Sequence, residues 1–193
     1  MAVTRITKEF RSKILRPRVL IPFLAFLLFM FLFVLPNWQD LRGNFFIGLF
    51  FLLGSLSYVY RRRFEIRIGV EFISIGTLLC TLAYGLPVGF FLGNTTTFLA
   101  ELIGSKVDER IIINLLSINA MILSIPLLSG LATVNLLLVA VIANLVYNVI
   151  GVFGNLFFGG NPGKTIIFVS TNVIWTFAFF LNIGPIIYYN FMV

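Results

Sequence analysis

Seven apolar stretches, separated by charged or turn-forming residues, constrain this 193-residue chain more than any other feature of its sequence. A transmembrane helix needs about 20 predominantly apolar residues. Sixty per cent of the residues are hydrophobic and 11% are charged, whereas a soluble domain has about 45–50% apolar and about 25% charged residues. The composition excludes a soluble globule and predicts an all-α fold, a polytopic membrane helical bundle. The predicted spans are residues 19–36, 44–60, 68–84, 86–103, 111–129, 131–158 and 165–189.

The basic residues predict how these spans are oriented. Loops on the cytoplasmic side of a membrane carry an excess of Lys and Arg. With the N-terminus in the cytoplasm, 13 of the 14 basic residues lie on that side and only Arg42 lies on the other. A six-span alternative, in which the third and fourth spans fuse, breaks this pattern. We therefore predict seven spans, a basic cytoplasmic N-terminal arm of residues 1–18, and a C-terminus on the far side of the cell inner membrane.

The net charge of +7 is explained by the basic residues of the predicted cytoplasmic arm and loops. We expect membrane lipids, and no nucleic acid, to face the basic residues.

The chain has no His, and its single Cys80 cannot form an internal disulfide. Nucleotide-binding, hydrolase and metal-ligand motifs are missing from the sequence, so we expect no cofactor and no metal and assign no catalytic residue. The glycine-rich residues 159–164 lack the spacing of a phosphate-binding loop and predict a helix connection.

Polar residues recur at helical spacing in the fourth to seventh spans. Residues three, four or seven apart share one helix face, and polar side chains in a membrane usually face the bundle interior. One interpretation is a shared cavity for a small neutral or zwitterionic molecule. The other is a set of interhelical hydrogen bonds that hold the helices together. The four stripes are Asn94, Thr97 and Glu101; Asn114, Ser117 and Ser124; Asn144, Asn148, Gly151 and Asn155; and Asn172, Trp175 and Asn182.

Two acidic residues, Glu71 and Glu101, form the sharpest feature of the apolar region. A tight turn at residues 85–87 predicts an antiparallel hairpin, and the two acids are equidistant from residue 86. That symmetry predicts matching depths near the cytoplasmic boundary. Two adjacent carboxylates could share a proton, bind a cation or accept an Arg from a partner, and they are the only plausible chemistry for an enzyme. The alternative is local ion pairing with Arg67, Lys106 or Arg110.

The second half of the chain resembles a known class of membrane proteins. Residues 71–105 form an apolar helix, a small-residue turn and a second helix with an acid near its end. This pattern is similar to the substrate-binding S components of energy-coupling factor transporters. Residues 142–148, and residues 172–177 followed by Gly184-Pro185, are similar to the last two helices of that family. The rod-shape protein MreD and queuosine-precursor-type transporters share much of this hydropathy pattern. The resemblance covers about residues 68–193.

The resemblance and the polar stripes together lead to two functional hypotheses. The first is an S-component-like membrane solute-binding or transport protein, which an ATPase partner with coupling subunits would energise. The second is a non-transporting membrane scaffold or assembly subunit of MreD-like character, held in a protein complex. In the first hypothesis a small polar substrate occupies a cavity among the later helices, with Trp175 as a stacking platform. The predicted ligand-binding residues are Asn94, Thr97, Asn144, Asn148, Asn172 and Trp175.

Overall fold

The computed structural model describes residues 41–59, 68–104, 110–132 and 135–192, and within these ranges it is helical without any β-strand. The predicted arm 1–18 and the first predicted span, 19–36, lie outside the described residues. Residues 45–193 make one compact unit, and residues 1–44 belong to another. The helices are α1 (Leu41–Leu56), α2 (Ile73–Tyr84), α3 (Leu86–Gly104), α4 (Arg110–Ala132), α5 (Leu136–Phe157), α6 (Pro162–Asn182) and α7 (Gly184–Ile187), with a final π-helical turn at Tyr188–Met192.

Four of these helices, α3 to α6, are long and apolar enough to cross a membrane. They also expose large apolar side chains: Leu127 is 86% exposed and Phe157 is 85% exposed. Contact with water would make such a surface costly, whereas lipid tails solvate it. The all-α architecture is therefore confirmed for the described residues, and these features are those of a helical membrane protein. The helices α1 and α2 are shorter, at 16 and 12 residues.

Successive helices pack against each other, and α2 lies at the centre of the bundle. The pairs α2–α3, α3–α4, α4–α5 and α5–α6 all make extensive contacts, and α2 also contacts α4 and α5. Every residue of α2 from Ile73 to Thr81 is buried. This arrangement explains why a short helix carries Ser74, Thr77 and Thr81 on an otherwise apolar surface: its polar faces are covered by neighbouring helices.

The predicted hairpin between α2 and α3 is present. Gly85 interrupts the helical chain with a φ of +86°, a left-handed conformation that glycine adopts without steric cost. Further along, Gly89 and Gly93 let the two helices approach closely. A Cβ at Gly89 would overlap the hydroxyl of Thr81, and one at Gly93 would lie 2.9 Å from Cγ2 of Thr77. These two glycines are therefore packing points, as small residues four positions apart are at contacts between membrane helices.

Several helix boundaries differ from the sequence-based prediction, among them the break between the fifth and sixth spans. The break between the fifth and sixth spans was placed at Ser129-Gly130, but α4 continues to Ala132 and α5 begins at Leu136. The side chain of Asn135 accepts a hydrogen bond from the Leu138 amide and caps α5. A capping side chain satisfies an amide that has no intrahelical partner, whereas a single exposed glycine costs a helix only about 1 kcal/mol. The cap therefore decides the boundary.

The segment before α2 is not helical, although residues 68–84 were predicted as one span. It packs closely on α6 instead. The Gly69 amide donates to Thr171 Oγ1 at 2.7 Å, and its carbonyl accepts from Asn172 Nδ2 at 2.9 Å. A Cβ at Gly69 would overlap the backbone of α6 at Phe168. Hydrogen bonds to α6 thus replace the helical hydrogen bonds that this segment would otherwise make.

The glycine-rich residues 159–164 connect two helices, as predicted. Gly159 has a φ of +72°, and the Asn161 side chain accepts a hydrogen bond from the Lys164 amide at 3.2 Å. Pro162 then occupies the first helical position, where the lack of an N–H costs nothing. This connection brings the end of α5 next to the beginning of α6, which is where the candidate site lies.

Candidate functional site

Three asparagines from two helices form a buried hydrogen-bonded cluster at the α5–α6 contact. Asn144 and Asn148 lie one turn apart on α5, and Asn172 lies on α6. Asn172 Oδ1 accepts from Asn144 Nδ2 at 2.7 Å and from Asn148 Nδ2 at 2.9 Å. Asn148 Nδ2 also contacts Asn144 Oδ1 at 2.7 Å and the Asn144 carbonyl at 2.9 Å. The structure thus brings together three of the predicted ligand-binding residues and pairs them with each other.

The carbonyl of Gly69 sets the direction of every hydrogen bond in this cluster. A carbonyl only accepts, so Asn172 must turn its Nδ2 toward it. The Oδ1 of Asn172 is then left to accept from Asn144 and Asn148. Asn148 consequently uses its Nδ2 within the cluster, and its Oδ1 has no hydrogen-bond partner in the part of the chain that the structure describes. Asn148 is 3% exposed, so this oxygen is a buried acceptor without a donor.

Asn148 borders a small cavity between α4, α5 and α6. The cavity volume is about 20 Å³, and a cavity of this size accommodates roughly one water molecule. It is much smaller than the few hundred Å³ of a typical small-molecule pocket. Of the six predicted ligand-binding residues, the cavity includes Asn148 alone. Its lining comprises Asn114, Tyr147, Asn148, Gly151, Val152, Asn155, Thr165, Phe168 and Val169.

Three other polar side chains that line the cavity donate hydrogen bonds to other groups of the chain. Asn114 Nδ2 donates to Glu101 Oε1 at 2.6 Å, and Asn155 Nδ2 donates to the Gly151 carbonyl at 2.8 Å. The Thr165 hydroxyl donates to the Asn161 carbonyl at 3.0 Å. Each of the two amides also carries a second N–H, so Asn114 and Asn155 have a donor as well as an acceptor left. The polar side chains that line the cavity therefore offer donors as well as acceptors.

Asn94 and Thr97, on α3, lie elsewhere in the bundle. Asn94 forms a reciprocal amide pair with Asn119 of α4, in which each Nδ2 donates to the other Oδ1 at 2.9 Å. The hydroxyl of Thr97 is buried without a hydrogen-bond partner among the described residues. The α3–α4 contact therefore has its own polar link, separate from the asparagine cluster of α5 and α6.

Trp175 is held against the segment that precedes α2. Its Nε1 donates to the Glu71 carbonyl at 3.1 Å. Its ring meets Phe72 edge-on, with the centroids 5.6 Å apart, and meets Phe179 at 6.3 Å. Edge-to-face aromatic pairs of this kind contribute about 0.5–1.5 kcal/mol beyond area burial. In this arrangement Trp175 anchors the segment to α6.

The two acidic residues each contact a side chain from another part of the chain. Glu71 is fully buried and its Oε2 accepts from the Tyr58 hydroxyl at 2.7 Å. Glu101 is 3% exposed and accepts from Asn114 of α4. Glu71 precedes α2, so the helical hairpin symmetry used to match the depths of the two acids does not extend to it. Arg67, Lys106 and the Arg110 side chain, its predicted alternative partners, lie outside the described residues.

Sequence reasoning identified the polar helix faces but missed several contributors to the site. Asn114 and Asn155 were recognised as members of stripes, yet neither was assigned to a pocket. Asn119 was overlooked, although an Asn within an apolar span is itself a signal of an interhelical contact. Gly69 carried no local signal, because its role depends on a helix about 100 residues later in the sequence.

No protein-family model matches this chain, and comparisons with curated proteins and with solved structures gave no significant match.

Proposed function

We propose that this protein is a membrane solute-binding protein that takes part in transport, in the manner of an S component. The observation that supports the proposal best is the buried, unpaired Oδ1 of Asn148, a residue that lines the cavity between α4, α5 and α6. Leaving a buried acceptor without a donor costs about 1–3 kcal/mol. The Gly69 carbonyl fixes the amide in this orientation, and a bound solute that donates a hydrogen bond to the oxygen would offset the cost.

The cavity size limits what part of a solute enters it. A volume of about 20 Å³ admits one polar group and not a whole metabolite. We therefore expect the solute to insert a single polar end among the asparagines and to leave its remainder outside. Asn144 and Asn172 contribute by holding Asn148 in position. Asn94, Thr97 and Trp175 support the surrounding helix contacts.

The proposed topology and partners follow from the same interpretation. Seven spans place the N-terminal arm in the cytoplasm and the C-terminus outside, in a cell inner membrane. The sequence has no nucleotide-binding motif, and we propose that a partner supplies the energy for transport. An ATPase with coupling subunits is the partner that the S-component resemblance implies.

The test is affinity purification in lipid nanodiscs followed by mass spectrometry of retained small molecules. The informative variant is Asn155→Leu, which removes a cavity oxygen without touching the asparagine cluster. Its matched control is Asn182→Leu, because Asn182 Nδ2 also donates to the carbonyl four residues earlier, at 2.9 Å, but does not line the cavity. We expect one stoichiometric solute in the wild type and in Asn182→Leu, and its loss in Asn155→Leu.

The second candidate is a non-transporting scaffold or assembly subunit. The mutual pairing of Asn144, Asn148 and Asn172 favours it, because interhelical amide bonds stabilise a bundle whether or not a ligand binds. In that case purification yields cell-envelope or other complex partners, and no small molecule is retained by any variant. That result would overturn the transport proposal.

A further inference from the structure

Asn94 and Asn119 form a link between α3 and α4 in which every amide hydrogen is already used. Each Nδ2 donates to the Oδ1 of the other amide at 2.9 Å. Each Nδ2 also donates to the carbonyl four residues earlier in its own helix, that of Phe90 or of Leu115, at 2.8 Å. An amide nitrogen carries two hydrogens, and an amide oxygen accepts two hydrogen bonds. The pair is therefore left with one further hydrogen bond to accept at each oxygen.

This amide pair lies near the middle of α3 and α4, and both of its side chains are partly exposed on the surface of the bundle. The residues one turn further along the two helices, Phe98 and Leu123, are exposed. The hydrocarbon of a membrane offers no hydrogen-bond donor. A helix that brings a donor to this surface would satisfy the remaining acceptors of the pair and would also cover its apolar neighbours.

Ser170 of α6 is a donor of the kind that this surface requires. It is exposed, and its hydroxyl makes no hydrogen bond with a described residue. Ser129 of α4 is exposed as well, but its hydroxyl already donates to the Pro126 carbonyl at 2.8 Å. The predicted first span, residues 19–36, contains no side chain with an N–H or an O–H. That span therefore supplies no donor, whereas α6 of a second copy does.

Ser170 lies at nearly the same depth of the bundle as the amide pair. Gly151 of α5 faces Ser117 of α4, and Asn148 of α5 bonds to Asn172 of α6. Because an α-helix rises 1.5 Å per residue, these two contacts place Ser170 within about one helical turn of the amide pair along the bundle axis. Two copies that share one orientation in a membrane meet at equal depths, so the donor of one copy can reach the acceptors of the other.

The surface around Ser170 also permits a close helix contact. Ile166 and Ile174, one turn before and one turn after it on α6, are 65% and 67% exposed. The small serine leaves a notch between these two side chains. Small residues let membrane helices approach closely enough to gain van der Waals contact and interhelical hydrogen bonds.

We propose that this protein self-associates in the membrane, with α6 of one copy packed on the α3–α4 surface of a second copy. The Ser170 hydroxyl of the first copy donates to an Oδ1 of the Asn94–Asn119 pair of the second. A contact between two different surfaces is completed reciprocally in a two-fold dimer or in turn around a closed ring. It requires neither a solute nor an ATPase, so it is independent of the proposed transport function.

The first test is sedimentation equilibrium of the full-length protein in density-matched detergent micelles, which gives the dissociation constant of the oligomer. Ser170→Ala removes the donor and keeps a small residue. We expect it to weaken association by at least about threefold, which corresponds to one average interhelical hydrogen bond in a membrane. Ser129→Ala is the matched control, because that exposed hydroxyl is already bonded within α4. A monomeric wild type, unchanged association of Ser170→Ala, or an equal loss in Ser129→Ala would overturn the inference.

A double-mutant cycle tests whether the amide pair is the acceptor. Asn94→Leu and Asn119→Leu are combined in one variant, because removal of both partners leaves neither amide without the other. We expect this variant to associate as weakly as Ser170→Ala, and the addition of Ser170→Ala to cause no further loss. Additive losses would show that the hydroxyl and the amide pair do not meet.

Disulfide cross-linking in lipid vesicles identifies the two faces without changing the amide pair. Copies that carry Ser170→Cys or Thr95→Cys, each in a Cys80→Ala background, are co-expressed with different tags. Thr95 is partly exposed next to Asn94, and a disulfide forms only where the Cα atoms lie about 4.4–6.8 Å apart. We expect a disulfide between the two different variants. Its absence, or a disulfide between two Ser170→Cys copies, would overturn the assignment of α6 to the α3–α4 surface.

Discussion

At the scale of single residues, one backbone carbonyl determines the chemistry of the candidate site. Gly69 accepts from Asn172, and this bond propagates through Asn144 and Asn148 until one oxygen is left unpaired at the cavity. Glycine is required at position 69 because any side chain would overlap α6. Through its carbonyl, a residue with no side chain thus determines that the oxygen of the Asn148 amide, and not the nitrogen, is left unpaired.

A first prediction concerns Asn172. Asn172→Leu removes the partner of three groups at once, namely the Gly69 carbonyl and the amides of Asn144 and Asn148. Each buried group left unpaired costs about 1–3 kcal/mol in soluble proteins, and interhelical bonds in membranes average about 0.6 kcal/mol. We expect the free energy of unfolding to fall by about 2 kcal/mol or more, measured by denaturant titration in mixed micelles.

The control for Asn172→Leu is Asn182→Leu on the same helix. The Asn182 side chain is exposed and bonds only to its own helix. Exposed substitutions usually change stability by less than about 0.5 kcal/mol. Equal effects of the two variants would contradict the assignment of Asn172 as the centre of an interhelical network.

At the scale of helices, close approach is achieved by glycines opposite threonines. On α3, Gly89 and Gly93 face Thr81 and Thr77 of α2. The hydroxyl of Thr81 donates to the Thr77 carbonyl at 2.6 Å, so it is held in place and does not rotate away freely. Small residues let membrane helices gain van der Waals contact, which replaces the hydrophobic driving force that lipid does not supply.

The second prediction tests this packing. Gly89→Ala forces a methyl group onto the Thr81 hydroxyl, and we expect a loss of about 1–3 kcal/mol from overpacking. Gly48→Ala is the matched control, because a Cβ there meets nothing within 4 Å and alanine is the better helix former by about 1 kcal/mol. Adding Thr81→Ala to Gly89→Ala should recover part of the loss. No recovery would show that the two residues do not oppose each other.

At the scale of the whole molecule, four of the described helices are long and apolar enough to cross a membrane. The total of seven spans is part of the proposed topology. An odd number of spans puts the two termini on opposite sides, whereas an even number puts them on the same side. The proposal of seven spans with the N-terminus in the cytoplasm is based on the positive-inside pattern. The direction of the proposed solute transport relative to the basic loops depends on the number of spans.

The third prediction is a labelling pattern. In a Cys80→Ala background, which has no other cysteine, Lys8→Cys should react with a membrane-impermeant maleimide only after the cytoplasmic side is opened. Asn190→Cys should react in intact cells. Because Cys80 is buried, its replacement by the similar-sized alanine should leave the bundle folded. Labelling of both positions from the same side would contradict seven spans and favour six.

The features of this structure that depend on neighbouring residues could be predicted from the sequence. Hydropathy and helical spacing predicted α3 within one residue at its C-terminal end, the hairpin at Gly85, and the polar faces that carry Asn144, Asn148 and Asn172. Each of these properties depends on residues a few positions apart, because helix formation and burial of one face are decided over one or two turns. The boundary near Asn135 was missed because a capping bond outweighed the signal of Ser129-Gly130.

The sequence by itself thus determined a helical membrane bundle and the faces on which its polar residues lie. Only the tertiary structure decided which polar groups meet, that Asn172 bonds to Gly69 as well as to Asn144, and that Asn148 keeps a free oxygen at the cavity. The physical reason is that these contacts join positions up to 103 residues apart. Their existence depends on the packing and axial register of helices, and no local periodicity encodes either.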